Sequence, residues 1–275
     1  WSGKVHFFLN DGTSSQPYFR LQSDNLFEGI MGYDLAPAFG DIDGDGQVDA
    51  IIGDSNGYLH HFKGYGDLQF NYLGLVNDVD LSGNSDPILI DSNADGILEL
   101  LVGELNGNVN AYEYIDGQFI FNGLTNLSNL GLFYTTLDHF DIDIDGDSEI
   151  LMGSSQNGIS IFDSQQGDWM LMDVDIPFTT LRSSPAITDI NGDGALDLFV
   201  GNPSGGLLYL KEIININCNL GDVNEDGVID ILDIIQIINI ILNVDMITHC
   251  SADVNEDGII DILDVVLIVN WIMEI

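Results

Sequence analysis

One Asp-rich nonapeptide governs what this chain can fold into, because it returns at a nearly fixed interval. It starts at Asp41, Asp91, Asp141 and Asp189, so the spacings are 50, 50 and 48 residues. Each copy runs into an apolar tetrad ending in Gly53, Gly103, Gly153 or Gly201, then a short turn and an alternating strand. A further apolar piece precedes each loop, at 36–39, 87–90, 135–140 and 185–188, and another follows the alternating strand at 69–73, 118–121 and 169–172. Units repeating at constant length bury their apolar faces against one another. Four short strands per repeat, separated by polar turns, predict propeller blades.

The ends of the array are incomplete. Residues 3–8 match 57–62, and 18–21 match the fourth strand, so the chain opens halfway through a repeat. The fourth copy shows no evident last strand after Leu210. The expectation is a mostly β chain of 17 strands, in four to five blades or as a fragment of a larger ring.

After Glu212 the pattern changes. Residues 213–275 hold 12 acids and no Lys or Arg, and the apolar period becomes helical. A tighter repeat appears there, DVNEDGVIDILD from Asp222 and DVNEDGIIDILD from Asp253, each entering an Ile/Val-rich helix near 231–243 and 262–274. We therefore expect a propeller over 1–212 and a small helical module over 213–275, with 212–220 as linker.

Charge narrows the partners. Asp plus Glu number 45 against 5 Lys plus Arg, a formal charge of −40. Such a chain repels nucleic acid and anionic membranes, and both are excluded. At 45% apolar residues it still has a core to bury. No apolar run reaches the roughly 18–20 residues that membrane insertion needs. The chain opens at Trp1, not Met, and reads as a mature or trimmed chain.

The acids have a more specific use. All six loops fit D-x-[DN]-x-D-G-x-x-[DE]. Side chains at positions 1, 3 and 5 turn onto one point. Gly at position 6 allows a backbone that a Cβ opposes, and a carbonyl at 7 and an acid at 9 extend the shell. The candidate ligands of the first two loops are Asp41, Asp43, Asp45, Gln47 and Asp49, then Asp91, Asn93, Asp95, Ile97 and Glu99. The third and fourth offer Asp141, Asp143, Asp145, Asp147 and Glu149, then Asp189, Asn191, Asp193, Ala195 and Asp197. Oxygen-only sites of this flexible kind favour Ca²⁺, and about six ions are expected.

The repeat over 36–212 resembles the FG-GAP/VCBS family, best known from the integrin α-subunit propeller. That resemblance implies calcium in a hairpin loop at one rim of each blade. Residues 218–275 resemble a type I dockerin, an EF-hand-like module, through the duplicated loop and the Asp at position 12. The resemblance carries ligand roles to Asp222, Asn224, Asp226, Val228, Asp230 and Asp233, and to Asp253, Asn255, Asp257, Ile259, Asp261 and Asp264. It implies a cohesin-like partner. Positions 10 and 11 help set dockerin specificity, and here they are Ile231, Leu232, Ile262 and Leu263, more apolar than the Ser/Thr pairs of cellulosomal dockerins.

A wheel of 231–244 confines Gln236, Asn239 and Asn243 to a narrow polar arc, leaving more apolar face than two helices can bury on each other. Cys218 and Cys250 stand at matching places before the two loops, a candidate disulfide in an oxidising compartment. No nucleophile–base, HExxH, P-loop or GxGxxG motif is present. His60 and His61 sit on an alternating strand, so only one of the pair is expected to face inward, and they read as strand-surface residues.

The expected function is thus a secreted or cell-surface, calcium-binding, non-enzymatic adhesion or assembly protein, joined to a cohesin-like protein or to a copy of itself, with a carbohydrate or cell-surface ligand as a further partner. A carbohydrate-active lyase or hydrolase is the alternative, and Lys, Arg or a Tyr/His pair near the propeller axis would favour it. A structural subunit of an extracellular filament is the third reading.

Overall fold

The computed structural model describes residues 3–13, 16–30, 32–77, 79, 81–92, 96–128, 130–142, 148–156, 158–165, 168–172, 182–190, 196–203, 205–214, 220–224, 227–242, 250–252, 254–255 and 260–273. Two compact units divide it, and β17 carries the first through Ile214.

The first unit is built of antiparallel meanders. A hairpin, β1 (Phe7–Asn10) and β2 (Phe19–Ser23), comes first. Blade one is β3 (Ala36–Gly40), β4 (Asp49–Gly53), β5 (Leu59–Gly64) and β6 (Phe70–Leu75), hydrogen-bonded in that order. Blade two repeats this with β7 (Asp86–Ile90), β8 (Glu99–Gly103), β9 (Val109–Ile115) and β10 (Gln118–Leu124). Blade three has β11 (Thr136–Phe140), β12 (Glu149–Ser154), β13 (Gly158–Gln165) and β14 (Asp168–Leu171). Blade four has β15 (Ser184–Thr188), β16 (Leu196–Gly201) and β17 (Leu207–Ile214). This is a four-blade propeller arrangement preceded by a half-blade, with 17 described strands as the repeat count implied.

The apolar tetrads explain the stacking. They form the second strand of each blade, and β4 and β12 are buried along their whole length. A strand covered on both faces reads as a continuous apolar run. Its side chains meet those of the next blade: Ile51 and Leu59 pack with Leu89, Leu100 and Phe119, while Ile88 and Leu101 pack with Leu137, Ile150 and Met152. The terminal glycines are equally local. A Cβ on Gly53, Gly103 or Gly153 would overlap the carbonyl oxygen of Ser85, Thr135 or Ser183 in the following blade. At Gly201 the nearest atoms are 3.7 Å away on Ser184 of its own blade, so among the described residues no following blade presses there.

The same test places the hairpin. A Cβ on Gly3 would overlap Gly32 O, as one on Gly107 would overlap Leu132 O. Phe27, with Val5 and Leu26 beside it, packs on Ala50, Ile52 and Phe62 of blade one. The hairpin therefore stands one blade position before blade one. Backbone hydrogen bonds stitch successive blades at one rim, from Asn84 N to Ser55 O at 3.1 Å, Tyr134 N to Leu105 O at 3.0 Å and Arg182 N to Ser154 O at 2.8 Å.

In the second unit, α1 (Ile231–Ile241) and α2 (Ile262–Met273) share a core of Val223, Ile237, Ile240, Ala252, Val254, Val265 and Ile268. Among the described residues no helix is long and apolar enough to cross a membrane.

Candidate metal loops and interaction surfaces

The loop between β3 and β4 is described throughout. Gly46 takes φ 81°, the left-handed region where a Cβ is strained. That bend lets Gly46 N donate to Asp41 Oδ2 at 2.8 Å and Asp45 N to Asp41 Oδ1 at 3.1 Å. Asp49 is buried and accepts from Ile42 N at 3.2 Å and Gly64 N at 2.8 Å. Carboxylate oxygens of Asp41, Asp43 and Asp49 lie within 4.8 Å of one another, a cation-sized gathering.

Lys63, reaching across from β5, puts a cation in that gathering. Its Nζ lies 2.6 and 2.7 Å from the Asp43 oxygens, 2.8 Å from Asp45 and 3.5 Å from Asp49. Burial acts to lower the Lys63 pKa, but the hydrogen bonds it donates to Asp43 and Asp45 and the charge of Asp49 carry it above its ordinary value. Asp45 is held below the usual carboxylate range, first by its hydrogen bond with Lys63 and then by the Gln47 N–H. The ammonium stands in chemically for a metal ion, so the donor set fits a hard cation.

Other loops repeat the geometry where they are described. Gly96 has φ 82° and donates from N to Asp91 Oδ2 at 2.7 Å, while Ser92 N donates to Glu99 Oε2 at 2.8 Å. Glu99 thus does the work of Asp49 with a longer arm. In the second unit Gly227 has φ 83°, and its N donates to Asp222 Oδ2 at 3.0 Å. Among the described residues the buried Asp222 Oδ1 has no hydrogen-bond partner, an oxygen suited to a cation. Asp141, Asp189, Asp197, Ile97, Asn224, Val228 and Asn255 are described at their loop positions, and Glu149 and Asp197 are buried. Asn93, Asp95, Asp143, Asp145, Asp147, Asn191, Asp193, Ala195, Asp226, Asp253, Asp257 and Ile259 lie outside the described residues, as does Cys218 and with it the Cys218–Cys250 pairing.

The position-12 acids organise backbone. Asp233 is buried and accepts from Val223 N at 2.8 Å, Asn224 N at 3.1 Å and Asp230 N at 2.8 Å. Asp264 accepts from Asn255 N at 3.1 Å and Asp261 N at 2.8 Å. Asp230 and Asp261 cap the two helices, each accepting at 2.7 Å from the N–H of Leu232 and Leu263.

The apolar pairs at the helix starts are open to solvent, at 66% for Ile231, 52% for Leu232, 62% for Ile262 and 53% for Leu263. Ile235, Leu242 and Val266 extend this exposed surface.

The histidines depart from the surface reading. His60 is buried, with Nδ1 3.1 Å from Tyr72 Oη and Nε2 3.4 Å from Asp54. His61 is half-buried between blades one and two against Tyr114 and Phe119, and burial lowers its pKa. The two side chains alternate to opposite faces of β5, whose pairing with β4 is unbroken, and each face is covered, one beside the Phe27 cluster and the other by blade two.

Sequence reasoning missed an axial feature. The inner strands β3, β7, β11 and β15 line a cavity of about 470 Å³, and a second cavity of about 600 Å³ opens where these strands begin. Asp34, Asn84, Tyr134 and Arg182 line this second cavity, each two residues before an inner strand. The recurring position was readable in the sequence, but its shared backbone conformation was not.

Family models bear on both units. A type I dockerin domain matches residues 220–273, an FG-GAP-like repeat matches 41–102 and an FG-GAP repeat matches 182–211. No curated protein matches the chain. Dockerin domains generally bind calcium and cohesin partners, and both modules are typical of extracellular proteins. The chain carries FG-GAP repeats in a four-blade propeller arrangement, followed by a type I dockerin domain.

Proposed function

We propose that this chain is a non-enzymatic, calcium-loaded component of an extracellular or cell-surface assembly. The carrying observation is the duplicated exposure of Ile231–Leu232 and Ile262–Leu263, the same apolar pair presented at two helix starts. Side chains of this size left in water mark an interface. The partner is a cohesin-type module or a second copy of the chain. Six ions, four in the propeller and two in the dockerin, would hold the loops by neutralising carboxylates gathered at short range. At the described loops the residues named above would be the ligands. The carboxylates also order the loop backbone themselves.

Replacing all four apolar residues by Ser tests this, because none supplies a side-chain oxygen to a loop. Association, read by pull-down on an immobilised cohesin and by sedimentation for self-assembly, should be lost while calcium stoichiometry is kept. Undiminished association would refute it. The enzymatic alternative keeps one observation in its favour, the Tyr134–Arg182 pair beside the axial cavity. Release of reducing ends from a polysaccharide by the intact chain would establish that reading.

A further inference from the structure

We infer that the axial mouth of the propeller is a binding site for a sugar acid, a hydroxylated ligand bearing one carboxylate. The geometry repeats four times with four different side chains. Asp34, Asn84, Tyr134 and Arg182 have φ of 51°, 47°, 54° and 57°. L-residues enter this left-handed region at a cost of about 1–2 kcal/mol each, which Gly avoids. Asp and Asn tolerate it best, whereas Tyr and Arg have no such local excuse. Each blade therefore keeps a strained backbone and spends it on a different side chain. All four chains line the same 600 Å³ cavity, the volume class of small-ligand sites.

Arg182 sets the ligand class. Its Cζ lies 3.7 Å from the centroid of the Tyr134 ring, so the guanidinium is stacked and its N–H edge keeps its donors. Lys4, Arg20 and Lys63 each pair with an acid, at Asp24, Asp11 and Asp43. Among the described residues no carboxylate lies within ion-pair distance of Arg182, in a chain with 45 acids. A planar fork held without a carboxylate matches a ligand carboxylate in two-point contact. Asp34 and Asn84 supply acceptors and an amide for hydroxyl groups. A lone guanidinium in a chain of charge −40 suits a single carboxylate and not a polyanion. The inference stands apart from the dockerin reading, since every residue in it belongs to the propeller.

The test uses the intact calcium-loaded chain, titrated by calorimetry with D-galacturonate and D-glucuronate, and with galactose and glucose as their uncharged counterparts. A uronate should bind at least 10-fold more tightly than its neutral counterpart. Arg182→Met should weaken uronate binding at least 10-fold and leave neutral-sugar binding unchanged. Arg182→Gly relieves the left-handed backbone, so it should melt no lower than the parent while losing uronate binding, which separates a ligand role from a structural one. Equal affinity for charged and neutral sugars, retention of uronate binding in Arg182→Met, or no uronate binding at 20-fold excess over the millimolar range would each overturn the assignment.

Discussion

Lys63 makes the first candidate metal loop unlike a bare cluster of acids, and replacing it should tighten calcium binding there. Its ammonium meets Asp43 at 2.6 Å, Asp45 at 2.8 Å and Asp49 at 3.5 Å. A calcium ion needs the same oxygens, so the ammonium must leave as the ion enters. Exposed ion pairs contribute about 0.2–1 kcal/mol each after solvent screening. Lys63 is only 16% exposed, so three contacts together should contribute about 1–2 kcal/mol. With tenfold in affinity per 1.4 kcal/mol, Lys63→Met should lower the calcium Kd of this loop by about 5- to 30-fold. Met keeps the apolar stem and removes only the charge.

The same figure fixes the opposite effect without metal. In EDTA the variant leaves three carboxylates together with no cation among them, and it should lose about 1–2 kcal/mol, or roughly 2–8 °C in melting temperature for a unit of this size. In saturating calcium the difference should vanish, because the ion replaces the ammonium. Competition with a chromophoric chelator reads the affinity, and calorimetric melting in EDTA and in calcium reads the stability. An equal drop in both melting conditions, or an unchanged chelator titration, would show that Lys63 is an ordinary packing residue and that the competition argument fails.

Two further outcomes test the blade stacking and the axial channel. Gly153→Ala should destabilise the propeller by about 1–3 kcal/mol, because its Cβ would overlap the Ser183 carbonyl, whereas Gly201→Ala should cost less than a third of that; paired urea titrations compare them. Asp86 sits beside the axial cavity with its pKa pushed up to about 7, chiefly by burial and further by the charge of Asp138, against the Leu137 N–H that lowers it. Its folded pKa exceeds the unfolded value, so its protonated form stabilises the fold at low pH and that stability is lost as pH rises through about 7. Asp86→Asn keeps an acceptor for Leu137 and should therefore be more stable than the parent by about 1–3 kcal/mol at pH 8 and equal to it at pH 4. A gap that does not change with pH would refute the burial argument.

The blades were legible because their cause is local. Tetrads such as AIIG and ILMG carry burial on both faces in their composition and a close interblade approach in their last glycine. Helix starts at Ile231 and Ile262 were legible for a similar reason, since Asp230 and Asp261 cap them directly. What escaped was set by pairing between distant residues. Nothing near Lys63 in the sequence points to Asp43, 20 positions earlier; the contact follows from the order of strands in blade one. His60 and His61 were misread because both faces of β5 are covered by neighbouring blades, which alternation along one strand does not reveal.

The two ends of the inner strands divide the work. The candidate metal loops follow these strands and the mouth residues precede them, about 17 Å apart along five residues of strand. At the loop end the repeat keeps residue type: Asp at position 1 and Gly at position 6 recur in every copy. At the mouth end it keeps backbone conformation and lets the side chain change from Asp to Asn to Tyr to Arg. An ion demands the same donors wherever it binds, so uniformity is what metal chemistry requires. A ligand with no fourfold symmetry presents a different group to each blade, so one scaffold with four unlike side chains is what its recognition requires. The same 50-residue period therefore fixes the donor set at one end, while at the other it fixes a backbone whose N–H groups stitch the blades and leaves the side chains free to differ.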